Sequence, residues 1–236
     1  FGWEQWDRSR RDVNVTNEFL GKVTADFKLF DVGTLRTSGQ YSERRYDKYD
    51  SLALARDTYY AGVITNPATF ATANANGGTN IYMRKFDMAN RNQTKSNVFL
   101  DLTPFGSTAL SGLTLSPTGG FKFESFPDDP RFLGLRKSNT WNVGADSTYV
   151  FQDGSAITAS YLHEIYDRNL VGGNQTTNAL TGLIAAPPLN MYSSLTHEKV
   201  DTIILGGNIA LIPSKLDLKL SYSISRSEED WTFSPY

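Results

Sequence analysis

The stretch Leu216-Asp217-Leu218-Lys219-Leu220-Ser221-Tyr222-Ser223-Ile224-Ser225 alternates apolar and polar residues without a break. Successive side chains of a β-strand point to opposite faces, so it predicts a strand with one apolar and one hydrophilic side. Upstream, Phe19, Gly21, Val23, Ala25, Phe27 and Leu29 repeat the pattern against Lys22, Thr24, Asp26 and Lys28, with one mismatch at Leu20. After the turn Phe30-Asp31-Val32-Gly33, Leu35, Thr37, Gly39 and Tyr41 oppose Arg36, Ser38, Gln40 and Ser42. The two segments read as a hairpin.

Three more units follow the same plan. Gln93 to Leu102 leads through Thr103-Pro104-Phe105-Gly106 to a strand over Ala109 to Ser116, with Thr94, Ser96, Val98, Leu100 and Leu102 on the outer side. Trp141, Val143, Ala145, Tyr149 and Phe151 share a face, and Ile157, Ala159, Tyr161, His163 and Ile165 share another after Gln152-Asp153-Gly154. Asp-Gly between alternating segments is a strong short-range hairpin signal. Ile203, Leu205, Gly207, Ile209 and Leu211 precede Ile212-Pro213-Ser214-Lys215 and the strand that starts at Leu216.

Short and long connections therefore alternate. Tight turns lie near residues 31, 105, 153 and 213, and long polar stretches cover 43–90, 117–138, 167–199 and 226 onward. Membrane barrels segregate loop lengths in this way, with short periplasmic turns and long extracellular loops. Soluble antiparallel sandwiches share the alternation but have no reason to sort their loops. Each segment approaches the roughly 9–11 residues that cross the hydrocarbon core when tilted. The expected fold is an all-β, antiparallel transmembrane β-barrel, with about eight or nine strands in residues 1–236 and no separate domain. Glu228 to Pro235 reads as loop rather than closing strand, so a section of a larger barrel fits better than a complete small one. The first residue is Phe1, as expected of a mature or partial chain.

Composition agrees. The 236 residues carry 23 Lys and Arg against 25 Asp and Glu, a net charge of -2 with no basic block to track a phosphate backbone. Mean hydropathy is -0.38. No run approaches the roughly 18 apolar residues of a spanning helix, but a barrel needs only alternate residues to face lipid. Fourteen Phe, 12 Tyr and 4 Trp suit strands and interfacial girdles. Trp3, Trp6, Tyr41, Tyr46, Trp141 and Tyr166 fall toward the long-loop ends, and Phe27, Phe30, Phe105 and Phe151 at the tight turns.

Little points to catalysis or metal binding. There is no cysteine for a nucleophile, a thiolate metal site or covalent haem attachment. His163 and His197 lack zincin spacing; His163 suits an interfacial role on the lipid side, and His197 a solvated loop. The acidic clusters at Asp47 and Asp50, at Asp128 and Asp129, and over Glu228 to Asp230 lack EF-hand spacing and read as solvated loop charge. No nucleophile elbow, P-loop or dinucleotide glycine pattern occurs between a strand and a helix. No enzymatic site and no cofactor are expected within the chain.

The hydrophilic side carries the candidate functional residues, those that would face the lumen and a partner within it. They are Lys22, Thr24, Asp26, Arg36, Ser38, Gln40, Lys95, Asn97, Asn142, Asp146, Thr158, Ser160, Glu164, Asn208, Asp217, Lys219, Ser221 and Ser223. The set is mixed in sign and rich in short side chains. Such a wall accommodates water, as in a diffusion channel for small solutes, or a folded protein slid against it.

Several blocks resemble the decahaem-associated outer-membrane proteins of the MtrB/PioB family. They are Trp6-Asp7-Arg8-Ser9-Arg10-Arg11 with Thr16-Asn17-Glu18; Leu35 to Arg44, ending Tyr41-Ser42-Glu43-Arg44; and Arg84-Lys85-Phe86-Asp87-Met88-Ala89-Asn90-Arg91. Phe126-Pro127-Asp128-Asp129-Pro130 with Leu133-Gly134-Leu135, and Val200-Asp201-Thr202 through Lys215-Leu216-Asp217-Leu218 to Ser221-Tyr222-Ser223, complete the set. The resemblance implies a bacterial outer-membrane barrel of more than twenty strands that sheathes a periplasmic multihaem (decahaem) c-type cytochrome. Electrons would pass to or from a second, surface cytochrome, with haem c carried by the partner and lipid or lipopolysaccharide around the wall.

Overall fold

The computed structural model describes residues 15–46, 83–84, 89–104, 111–127, 133–177, 184–212 and 215–235. They form β1 (Thr16–Leu29), β2 (Gly33–Tyr46), β3 (Met83–Arg84), β4 (Arg91–Leu102), β5 (Leu113–Ser125), β6 (Leu133–Val150), β7 (Ala156–Thr177), β8 (Ile184–Ile212) and β9 (Leu216–Pro235). All belong to one sheet in the order β1-β2-β4-β5-β6-β7-β8-β9, with β3 paired to β6 off this path. Every neighbouring pair on the path is antiparallel. The alternation read from the sequence is thus an up-and-down meander.

Among the described residues no second layer covers the apolar side of the sheet. Among the described residues the buried apolar side chains are Ala89, Phe126, Leu133 and Val171, while Val23, Val143, Ile157, Leu205, Leu220, Tyr222 and Ile224 stand exposed. A water-soluble domain does not leave so continuous an apolar surface uncovered, and hydrocarbon tails supply the missing layer.

Register gives the strand inclination. One hydrogen-bonded row runs Leu29, Gly33, Leu102, Leu115, Ser147, Ala159, Leu205, Tyr222. It starts on the last residue of β1 and ends six residues beyond the first residue of β9. From the first tight turn to the last, the row crosses six strand spacings, a slip of one residue per strand. One residue of rise per spacing corresponds to an inclination of about 35° to the common axis, the tilt that a closed barrel requires.

The strands are longer than the sequence pattern suggests. β7 has 22 residues, β8 29 and β9 20, so much of 167–199 and of 226 onward is strand, as are 117–125 and 133–138. The physical reasons are local. Pro117 pairs with Ala145 of β6, and the ladder to β4 is interrupted between Thr118 and Leu115, where the missing N–H falls. Gly172 and Asn174 mark register shifts against β8, where bulges absorb residues that would break a regular ladder. The acidic run Glu228-Glu229-Asp230 is held straight by pairing with Lys199, Glu198 and His197. β5 begins at Leu113 rather than Ala109, which lies outside the described residues, as does most of 43–90.

The Asp-Gly hairpin between β6 and β7 is fully wired. Gly154 has φ of 86°, Asp153 Oδ1 accepts from Ser155 N at 2.9 Å, and Ser155 Oγ donates to Asp153 Oδ2 at 3.1 Å. Ala210 N of β8 donates to Ser155 Oγ at 3.1 Å, which links the turn to the next strand. Gly154→Ala places a Cβ in the left-handed region and is expected to cost about 1–2 kcal/mol. Urea unfolding of the refolded barrel should show the lower midpoint.

Candidate functional site: the hydrophilic face

The eighteen candidate residues fall on one face of the sheet. Three adjacent rows show why. Lys22 faces Gln40 and Lys95; Thr24 faces Ser38, Asn97, Gly120, Asn142 and Glu164; Asp26 faces Arg36. Nearer the later turns, Asp146 and Ser160 run to Ile204 and Ser223, Thr158 to Gly206 and Ser221, Asn208 to Lys219, and Ala210 to Asp217. Register carries the parity chosen in one strand unbroken through the next.

The relief of this face is low. A Cβ on Gly120 would lie 2.8 Å from both Asn97 Oδ1 and Ser96 O, one on Gly144 2.7 Å from Tyr161 O, and one on Gly206 2.4 Å from Thr158 Oγ1. At these points the neighbouring strands occupy the space that a side chain would need, with backbone, short polar groups and, beside Gly144, the Leu162 side chain.

Toward the long-loop end, side chains tie the early strands together. Arg91 of β4 forms ion pairs with Glu18 of β1 and, at 3.2 Å, with Glu124 of β5. Gln93 Nε2 donates to Glu124 at 2.7 Å, and Lys122 lies 3.1 Å from the same carboxylate. The Glu124 side chain is only 10% exposed. Arg91→Met removes one of its cationic partners, an expected loss of about 1–3 kcal/mol in barrel stability by urea titration.

The opposite face bears the apolar band. In β9 it extends from Leu216 to Ile224, which at 35° inclination is about 22 Å along the membrane normal. Beyond it, Asp201 and Arg226, Lys199 and Glu228, and His197 and Asp230 face each other across β8 and β9. His163 lies at this boundary, its Nδ1 2.8 Å from Asp201 Oδ1, and Tyr161 donates to the same oxygen at 2.6 Å. His197 is in β8 rather than a loop, with Nδ1 2.6 Å from Asp167 Oδ1.

Aromatic residues mark both edges of the band. Phe30, with φ of 52°, is 95% exposed at the first tight turn, and Phe27 and Phe151 lie at the same end. At the other edge Trp141 packs on Phe121 and Phe123, with ring centroids 5.4 and 5.0 Å away. Phe121 and Phe123 belong to β5, in the stretch 117–138 that the sequence alone predicts as loop. Tyr41 remains on the apolar side, but the parity of β2 and β7 puts Tyr46 and Tyr166 on the hydrophilic face. Trp3, Trp6 and Phe105 lie outside the described residues, as do Asp47, Asp50, Asp128 and Asp129. Glu229 takes the opposite face from Glu228 and Asp230, so the third acidic cluster does not converge.

A face of lipid-exposed apolar residues about 22 Å tall, with aromatic edges and a reverse side that is mostly polar, interrupted by Leu20, Phe99, Leu162, Ile204, Trp231 and Phe233, describes the wall of an outer-membrane barrel. The family model described as "Putative outer membrane beta-barrel porin, MtrB/PioB" matches residues 1–235. The chain belongs to this family. It is also similar to Outer membrane protein MtrB of Shewanella baltica (strain OS185), 23% identical over 230 residues, which is 95% of this chain. The chain spans 27% of that relative's length. The protein is thus an outer-membrane β-barrel protein of the MtrB/PioB family, and its described strands form a section of the wall.

Proposed function

We propose that the hydrophilic face lines the lumen of an outer-membrane barrel that acts as scaffold and insulating sleeve for a periplasmic multihaem c-type cytochrome. The complex would carry electrons across the membrane, with no catalysis by the barrel. The observation that carries this reading is the low relief of the wall around Gly120, Gly144 and Gly206, where groups of neighbouring strands fill the space a side chain would take and leave a shallow surface for a folded polypeptide to lie against. Electrons do not tunnel across roughly 30 Å of hydrocarbon, so a cofactor chain must be threaded through and kept from lipid.

Haem ligation does not fit this chain. It has no cysteine, and His163 and His197 share the parity of the apolar band and are bonded to Asp201 and Asp167. All haem would belong to the partner. Strands from elsewhere in the protein would pair with the outer edges of β1 and β9, since an unpaired edge is costly in lipid.

The family's description as a porin favours a second reading, a diffusion channel for small solutes. Liposomes separate the two. With the full-length barrel, an enclosed electron acceptor should be reduced from outside only when the native cytochrome is also incorporated. Rapid leakage of small sugars from cytochrome-containing vesicles, without reduction of the acceptor, would support the channel and sink the sleeve.

A further inference from the structure

Charge on the hydrophilic face is mixed along each strand but sorted across the sheet. One row reads Lys22, Gln40, Lys95, Lys122, Thr140, Tyr166, Glu198, Glu229, cationic at one end and anionic at the other. The rest of the face follows the trend. β1 to β5 carry seven cations on it against the carboxylates of Glu18, Asp26, Asp101 and Glu124. On β6 to β9, the five carboxylates of Asp146, Glu164, Glu198, Asp217 and Glu229 outnumber Arg136, Arg168 and Lys219.

The two ends do not cancel. Lys95 on β4 and Glu198 on β8 are four strand spacings apart, about 19 Å along the sheet. That is nearly twice the roughly 10 Å screening length at 0.1 M salt, so each flank presents its own field. Lys22 and Lys95 are exposed and have no carboxylate partner among the described residues, whereas Lys122 is committed to Glu124. Glu198 accepts from Ser227 at 3.1 Å and has Arg168 at 3.7 Å, and Glu229 is exposed with no cation partner among the described residues. Unpaired charge of opposite sign on two flanks is what fixes the rotational setting of a docked body, since the wrong setting juxtaposes like charges.

We infer that this face holds its occupant, a folded polypeptide, in one rotational setting, with an acidic flank against β1–β5 and a basic flank against β7–β9. The inference rests on the sleeve reading above and adds the orientation of the partner within it. The test places a photo-crosslinking amino acid at position 95 or 229 of the full-length protein in its native membrane and sequences the captured peptides. Capture of net-acidic peptides from 95 and net-basic peptides from 229 is expected. Capture of the same charge type at both positions, or of the reverse, overturns the orientation while leaving the sleeve standing. Capture of no polypeptide at either position overturns the sleeve and the orientation with it.

A second measurement does not depend on crosslinking geometry. Lys22→Glu combined with Lys95→Glu breaks no ion pair among the described residues, so heat-modifiable migration should be unchanged. Retention of the haem protein should fall about tenfold at low salt and recover to within about twofold of wild type at 1 M, where screening acts over ~3 Å. A loss that persists at 1 M salt, or no loss at low salt, would count against an electrostatic setting.

Discussion

Replacing Leu220 by Arg in the full-length protein should destabilise the folded barrel by about 2–4 kcal/mol, whereas Ser221→Arg should cost less than about 1 kcal/mol. Leu220 lies midway along the Leu216–Ile224 band and is 56% exposed, so water would tolerate the guanidinium there without difficulty. Only hydrocarbon turns that exposure into a penalty. Ser221, the next residue, shares the opposite face with Gly206 and Thr158. Urea titration in lipid vesicles, followed by heat-modifiable migration, measures both variants. A larger effect at Ser221 would mean that inside and outside are exchanged, and equal effects would mean that neither face alone meets hydrocarbon.

On the proposed sleeve function, filling the low-relief wall should expel the haem protein without unfolding the barrel. Ser160→Trp together with Ser223→Trp introduces two indoles into one row of the hydrophilic face, the row through Asp146 and Ile204. Overfilling a packed contact typically costs about 1–3 kcal/mol per site. Each ~1.4 kcal/mol is tenfold in affinity, so co-purifying c-type haem absorbance should fall at least tenfold at constant barrel yield. A diffusion channel with the same substitutions has no haem to lose and would register only a reduced solute flux. Unchanged haem content at full yield would remove the close-fitting wall from the argument.

The strand faces were legible in the sequence because lipid and lumen impose opposite requirements at alternate residues. Leu216 to Ser225 and Phe19 to Leu29 show the result with almost no exceptions. Strand ends were less legible. Past the apolar band both faces meet water, alternation fades, and Glu228-Glu229-Asp230 looks like a loop although it is paired throughout. Pro117 and the Gly172-Gly173 pair likewise resemble breakers, yet they sit at a ladder gap and beside a bulge. The lateral sorting of charge was hidden for a different reason. Lys95 and Glu198 share a row only through the registers of four successive strand pairs, and those registers are set by turns and bulges rather than by periodicity.

The wall does not stop where the hydrocarbon does. β9 continues for eleven residues after Ile224, to Pro235, and at the same inclination this raises the rim by roughly 30 Å. A rim of that height sets the end of β9 well outside the hydrocarbon layer.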